Sequence, residues 1–487
     1  MKSSIAVLLA NMGFVLQLSG IFILVPIVVS FLCNETDATV ALFIAATAFM
    51  ALGFCTNALC EKKEMTYRQS CILIVSVFVI MSLIGSIPYL YLSLPSANIL
   101  QTVTDSIFES VSGFTTTGFS VIPDLSALPQ SIILYRALTQ FIGGIGIVIV
   151  LLSFFYPEAK LREFAKSMGL GNGNYKIKKT FLFIISLYCA FTIAMIIIGY
   201  LGGYRDLISL SSIVFSSIST GGFSPVVDFA AIVSQQPLNI IIPISMIFGA
   251  TNFLLFGYLY KKRFKDFFNS QLTIFLIIAG LSTFILYQFF NLSIYDSMFH
   301  IVSAMSTTGF NIIPIDSMAD SLKLFLVSLM FIGGASFSTA GGIKIYRLVL
   351  MLKSIKKGVV YAVSGKDEKL KVLGKEYSNS EVIQSAALVF LTALIIFVSA
   401  LIVSYYGFRP IDALFDCTSA IATTGLSAGV VGPSLALELK WLFMFLMLMG
   451  RVEILSFLVI FTRGKERPML ASQSLEESAV VTISAEA

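Results

Sequence analysis

From Ser3 to Asn34 the chain runs without a single charged residue. A run of that length is hard to bury in a soluble domain, whereas a transmembrane helix needs only about 20 mostly apolar residues. Ten stretches meet the requirement: roughly 4–33, 38–60, 70–93, 131–156, 180–202, 238–260, 271–292, 322–351, 381–406 and 438–462. The first is far longer than the ~7–15 apolar residues of a signal-peptide core, and no small-residue cleavage site follows it. Pro26, Pro88 and Pro243 interrupt three of the stretches, which membrane helices tolerate when neighbours satisfy the freed backbone groups. Composition agrees. Only 12% of the residues are charged and 57% are hydrophobic, against about 25% charged in ordinary soluble domains. The surplus apolar surface must face lipid, which excludes an ordinary soluble enzyme, a disordered chain and a secreted disulfide scaffold.

His300 is the only histidine, a poor basis for haem or copper chemistry, where several imidazoles bind the metal. The cysteines, at 33, 55, 60, 71, 189 and 417, include no CxxC pair. They read as single thiols packed as small hydrophobes. Basic residues cluster after the second, fourth, sixth, eighth and tenth stretches, for example Lys261, Lys262, Arg263 and Lys265. The other side has only Arg136, Arg205, Lys323, Arg409 and Lys440. By the positive-inside rule both termini are cytoplasmic. The net charge of +5 is spread between apolar segments, so nucleic acid is not implied as a partner. The glycines of loop 157–179 match no nucleotide-binding motif, and 471–487 reads as a polar tail.

The segments between stretches, on the side poor in lysine and arginine, repeat. Thr115-Thr116-Thr117-Gly118-Phe119-Ser120, Ser219-Thr220-Gly221-Gly222-Phe223-Ser224, Ser306-Thr307-Thr308-Gly309-Phe310-Asn311 and Ala422-Thr423-Thr424-Gly425-Leu426-Ser427 align on their last glycine. Six positions earlier all four have serine (Ser112, Ser216, Ser303, Ser419). Ten earlier three have phenylalanine (Phe108, Phe299, Phe415), and thirteen earlier three have aspartate (Asp105, Asp296, Asp412). This is a fourfold repeat within one chain. The stretch from aspartate to glycine is too short to span a membrane. It fits a re-entrant half-helix that enters from outside, with the aspartate as N-cap, and turns back. Non-helical backbone at membrane depth survives only where protein buries it or a wet cavity receives it. Four loops around a pseudo-fourfold axis meet both conditions.

The chemistry expected of such a ring is cation coordination. The negative ends of the half-helices would point at the axis. Backbone carbonyls would replace a hydration shell, glycine would permit the dihedral angles that aim them, and threonine hydroxyls would add oxygens. A polar, Gly-rich run, Gly333-Gly334-Ala335-Ser336-Phe337-Ser338-Thr339-Ala340-Gly341-Gly342, breaks the eighth stretch. Arg451 and Glu453 lie in the last one, where ionisable residues are costly and point to function. Being two apart, they do not share a helix face. Lys344 and Arg347 near the end of the eighth stretch read as snorkelling residues, and Glu109 and His300 as buried packing residues of their half-helices.

With these loops, and with Gly143-Gly144-Ile145-Gly146-Ile147, Gly249-Ala250-Thr251-Asn252-Phe253, Gly341-Gly342-Ile343-Lys344 and Gly450-Arg451-Val452-Glu453-Ile454, the chain resembles the Trk/Ktr/HKT superfamily of potassium transporters. Within it, the match is to Trk-type subunits with two extra N-terminal helices. The resemblance implies an all-α integral membrane protein of ten spans: an N-terminal pair (1–68), four helix–pore-loop–helix repeats (69–166, 167–265, 266–360, 361–470) and a tail (471–487). It implies K+ uptake at the cell inner (plasma) membrane, K+ as the transported ion with no organic cofactor, a homodimer, and a separate cytoplasmic nucleotide-binding regulatory subunit (TrkA-like). It assigns the filter to Thr116, Thr117, Gly118, Thr220, Gly221, Gly222, Thr307, Thr308, Gly309, Thr423, Thr424 and Gly425. It assigns gating to Ser336, Ser338, Thr339, Gly341, Gly342, Lys344 and Arg451. Some members with serine at the first filter glycine pass Na+; glycine at all four positions favours K+ here.

The second repeat departs from the pattern, with Ser209, Ser212 and Gly221 where the others have Asp, Phe and Thr. A less symmetric ring is expected there. Two other readings fit the sequence less well. A secondary transporter with inverted halves needs two broken segments in corresponding places, whereas this chain has four parallel repeats. An intramembrane enzyme needs a convergent catalytic or metal set, which His300 alone does not supply.

Overall fold

The computed structural model describes residues 2–59, 67–93, 98–154, 177–256, 270–364 and 370–461 apart from 373, 374 and 378. The Gly-rich run near 169–173 and the tail after 470 lie outside these residues. The described chain is helical, with one antiparallel pair of three-residue strands, Leu370–Val372 and Lys375–Tyr377.

Helices Lys2–Leu32 and Thr36–Leu59 form an antiparallel pair in close contact. Glycines set their closeness: side chains at Gly13, Gly20 or Gly53 would meet the facing helix, as expected where small residues let membrane helices approach. At the turn, Glu35 accepts from the Gln130 and Ser131 backbone N–H groups at 2.6 and 3.1 Å. A carboxylate there caps the exposed donors at a helix start and fastens the N-terminal pair to the first repeat.

Four times, an outer helix leads into a half-helix, a loop and an inner helix. The outer helices are Tyr67–Gly85, Ile177–Leu201, Gln271–Phe290 and Asn379–Tyr405. The half-helices are Ile99–Phe114, Leu207–Ile218, Ile294–Met305 and Pro410–Ile421. The inner helices begin at Gln130, Leu238, Asp320 and Leu437. Outer helices turn apolar side chains such as Phe284 and Phe390 outward, as a lipid-facing surface requires. The half-helices are largely buried at the centre.

Several local details differ from the sequence reading. Among the described residues six helices are long and apolar enough to span on their own, and three inner helices are broken. The eighth stretch is two helices, Asp320–Ile332 and Ile345–Ser364, split at the Gly-rich run. The sixth stops at Ala250, and the tenth is divided at Val452–Glu453, between Leu437–Arg451 and Ile454–Phe461. Pro26 and Pro243 sit inside continuous helices, while Pro88 opens a short new one, Ile87–Tyr91. The half-helix aspartates are not the N-caps: Asn98, Asp206 and Ser293 cap the first three, and the fourth starts at Arg409–Pro410 with no side-chain cap. Cys33 and Cys55 are exposed; Cys71 and Cys417 are buried as small hydrophobes.

Candidate functional site

All four half-helices end in the same hydrogen-bond pattern. The backbone N–H groups of Thr117, Gly221, Thr308 and Thr424 donate to the carbonyls of Ser112, Ser216, Ser303 and Ser419 at 2.9, 2.8, 3.0 and 2.8 Å. Those of Thr116, Thr220, Thr307 and Thr423 donate to Gly113, Ser217, Ala304 and Ala420 at 2.9, 3.2, 3.2 and 3.1 Å. This is the Schellman ending, which requires a left-handed residue usually supplied by glycine. Here threonine takes it four times, at φ 54°, 54°, 56° and 50°. A β-branched residue there costs on the order of 1–2 kcal/mol. Such strain persists where the surroundings over-determine the conformation, commonly at functional sites.

Two residues on, Gly118, Gly222, Gly309 and Gly425 also have positive φ, 90°, 76°, 87° and 85°. The space where a Cβ would stand is filled by a neighbouring carbonyl oxygen: Gly221 at Gly118, Thr308 at Gly222, Thr424 at Gly309 and Thr117 at Gly425. These contacts run from the first loop to the second, third and fourth and back to the first, closing a ring. Hydroxyls line it as well. Those of Thr116, Thr423 and Thr424 are buried with no hydrogen-bond partner, while Thr117 and Thr308 pair with Thr115 and Ser306 at 2.8 and 2.7 Å. The arrangement gathers carbonyl and hydroxyl oxygens around an axis, chemistry suited to a dehydrated cation. The second loop has glycine at 221 because Gln140 fills the place of a side chain. Its Nε2 donates to the Gly221 carbonyl at 2.6 Å, and its Oε1 accepts from Phe223 N–H at 3.1 Å.

The ring is braced by residues that the sequence reading treated as packing (Glu109, His300), counted as loop charges (Arg136, Lys323, Lys440) or passed over (Asp416). Nine positions before the ring glycines stand Glu109, Ile213, His300 and Asp416. Glu109 accepts from Ser120 and Val121 beyond the first loop and from Arg136 at 2.7 Å. Asp416 accepts from Ser427, Ala428 and Val431. His300 Nε2 takes the Ile313 N–H at 3.3 Å. Each clamps the far limb of its loop back onto the half-helix. Arg136, Lys323 and Lys440 are not loop charges but are 1% exposed, inside the protein. Lys440 pairs with Asp105 at 2.5 Å and Lys323 with Asp412 at 2.7 Å, each joining an inner helix to the next half-helix around the ring. Only a polar residue nine before the glycine in three of the four loops could have signalled the clamp, and its identity differs in each.

Removing one partner of a buried pair typically costs about 3–5 kcal/mol. Glu109→Ala should therefore lower the melting temperature of detergent-purified protein sharply. Arg409→Ala, whose pair with Asp320 is 60% and 53% exposed, should cost under about 1 kcal/mol. Equal losses would contradict a bracing role for Glu109.

Directly below the ring lies the Gly-rich run, with its backbone satisfied by protein, as membrane depth demands. Ala335 and Thr339 N–H groups donate to the Ala250 and Gly249 carbonyls at 2.9 and 3.0 Å. Ser336 N–H donates to Gln271 Oε1 at 2.9 Å, and the Ser338 hydroxyl bonds within the loop to Ala335. Two bonds reach the ring: Gly341 N–H donates to Thr307 Oγ1 at 2.7 Å, and the Thr220 hydroxyl meets that of Thr339 at 3.2 Å. Gly341 also lies flat against the Ala422 carbonyl, and Gly342 has φ 72°. Lys344 does not snorkel but turns back to donate to the Ala340 carbonyl.

Arg451 joins this loop to the first inner helix. Its two terminal nitrogens donate to the carbonyls of Thr339 and Gly143, both at 2.7 Å. Glu453 is paired instead with Arg347, at 3.0 Å, so Arg347 is a buried ion-pair partner rather than a snorkelling residue. Among the described residues the guanidinium of Arg451 thus meets carbonyl dipoles and no carboxylate.

The model of the TrkH cation transport protein family matches residues 35–292 and 270–472. An uncharacterized cation transporter of Methanocaldococcus jannaschii is 32% identical, over 94% of this chain and 96% of its own. The Trk system potassium uptake protein TrkH of Salmonella typhimurium is 28% identical, over 82% of this chain and 86% of its own. The crystal structure of the potassium transporter TrkH from Vibrio parahaemolyticus superposes with a TM-score of 0.82 at 23% identity, covering 94% of this chain and 98% of that one. At that identity the likeness concerns the fold.

Proposed function

The chain belongs to the TrkH family of cation transport proteins, and from that premise we propose that it takes up K+ across the cell inner membrane through the ring of four loops. The observation that carries this reading is the closed cycle of carbonyls at Gly118, Gly222, Gly309 and Gly425. A dehydrating ion is stabilised by such a ring to the extent that number, spacing and field of the oxygens match it. Thr116, Thr220, Thr307 and Thr423 form the layer below. The protein is a transporter rather than an enzyme.

In this reading the face at which the half-helices start is external and both termini are cytoplasmic, as the basic clusters suggest. The run containing Ser336, Ser338, Thr339, Gly341 and Gly342 closes the pathway beneath the ring, held by Lys344 and Arg451. Opening requires release of the bonds to Thr307 and Thr220. The signal comes from a separate nucleotide-binding subunit on the cytoplasmic side, acting on a homodimer.

The test is cation uptake in cells lacking other K+ systems, together with flux in liposomes of purified protein. Saturable K+ uptake, weakly inhibited by Na+, is expected. Uptake of another cation or a small solute with no K+ flux would favour a secondary transporter instead.

A further inference from the structure

Tyr188, on the second outer helix, is fully buried, and among the described residues its hydroxyl has no hydrogen-bond partner. A buried phenol hydroxyl usually finds one, and leaving it unmet costs stability. Its aromatic ring is held between Phe141 of the first inner helix and Phe253, with centroids 4.7 and 5.8 Å away. The hydroxyl rests against the backbone of the first inner helix: a side chain at Gly144 would stand 3.0 Å from it. The preceding residue, Gly143, is the one whose carbonyl accepts from Arg451 at 2.7 Å. Arg451 brings a second orphan to the same place. Its Nε is buried with no partner among the described residues, and the guanidinium and the Tyr188 hydroxyl are within electrostatic reach of each other.

The other hold on Arg451 is the Thr339 carbonyl, at 2.7 Å, and Thr339 belongs to the Gly-rich run. So does Phe337, whose carbonyl accepts from the N–H of Phe253 at 3.2 Å, beside the Tyr188 ring. If the run moves, the guanidinium loses one of its two acceptors. A charge at membrane depth must then find another oxygen, and a phenol hydroxyl can accept. We infer that the Tyr188 hydroxyl receives Arg451 when the run moves, as a positioning residue that draws the guanidinium off the pathway. The inference rests on the reading of Arg451 as the charge that closes the pathway beneath the ring of loops. It accounts for both orphans: the hydroxyl is unsatisfied with the run in place and satisfied once the run has moved. Tyr188 itself touches no part of the pathway and acts only through the arginine.

K+ flux in liposomes, compared for the parent, Tyr188→Phe, Arg451→Ala and the double variant, tests this. Tyr188→Phe removes only the orphan oxygen, so the melting temperature should equal or exceed the parent's. Its flux should nevertheless fall about tenfold, the weight of one hydrogen bond to a charged group. In the Arg451→Ala background the same change should alter flux less than about twofold, because the partner it acts through is gone. Unchanged flux in Tyr188→Phe, or an equal fall in both backgrounds, would overturn the inference and leave the arginine's role standing. A melting temperature that falls along with the flux would also overturn it, by showing that the hydroxyl supports the resting structure. Failure of Arg451→Ala to raise flux would instead overturn the reading of the arginine, and the inference with it.

Discussion

Serine in place of Gly118 should reduce discrimination of K+ over Na+ by at least about tenfold, equivalent to ~1.4 kcal/mol. The cause is geometric. At φ 90° the backbone is in a region that favours glycine, and a Cβ there would overlap the Gly221 carbonyl oxygen. Backbone atoms in a packed ring cannot swing away as the end of a long side chain would. The Gly221 carbonyl must rotate, breaking its bond with Gln140 and altering one quarter of the coordinating shell. Selectivity depends on the number and field of those oxygens, so the loss should appear as Na+ inhibiting K+ uptake at about tenfold lower concentration. Gly280→Ser is the control: nothing stands within 4 Å of a Cβ there. Unaltered selectivity in a folded Gly118→Ser protein would remove Gly118 from the pathway.

Arg451→Ala should raise the K+ transport rate about tenfold while leaving selectivity unaltered. Two unit charges at ~4 Å repel by about 4 kcal/mol at an effective dielectric of ~20, and ~1.4 kcal/mol is already a factor of ten in rate. Among the described residues no carboxylate answers this guanidinium, since Glu453 is taken by Arg347. The same side chain ties the Gly-rich run to Gly143, so its loss also loosens that run. Arg451→Lys separates the two effects. It keeps the charge but not the planar fork that reaches two carbonyls, and should raise the rate less than alanine does. Uptake is normalised to folded protein in the membrane. A fall in both rate and amount of folded protein would show that Arg451 serves only to hold the helices.

The membrane class and the four loops were legible because both depend on local sequence. Long uncharged runs leave few options, and a Thr-Gly turn after a short amphipathic segment states its own dihedral needs. The broken inner helices were only partly legible. The eighth stretch announces its break with four glycines, the pairs 333–334 and 341–342, but the ends at Ala250 and Arg451 follow single glycines. Their role is contact: Gly249 and Gly450 lie against the Ile218 and Ile421 carbonyls. The ring's braces were hidden for another reason. Glu109 and Arg136 are 27 residues apart, and Lys440 and Asp105 are 335 apart; no periodicity connects them. The N-cap reading of the aspartates failed because their carboxylates answer lysines on another helix, or stand beside a cavity, rather than their own helix start.

A ring assembled from four copies of one gene product would repeat every substitution in every quadrant. Here the quadrants are covalently joined, and each is free to diverge. The position nine before the ring glycine shows it: glutamate, histidine and aspartate clamp the far limb in three loops, and isoleucine stands there in the second. A lone arginine, Arg451, can bridge the Gly-rich run and the first inner helix without three more in the other quadrants, which four identical chains could not arrange. Joining the quadrants in one polypeptide thus gives selection access to asymmetry, so that a single mutation alters the pathway by a quarter instead of all at once.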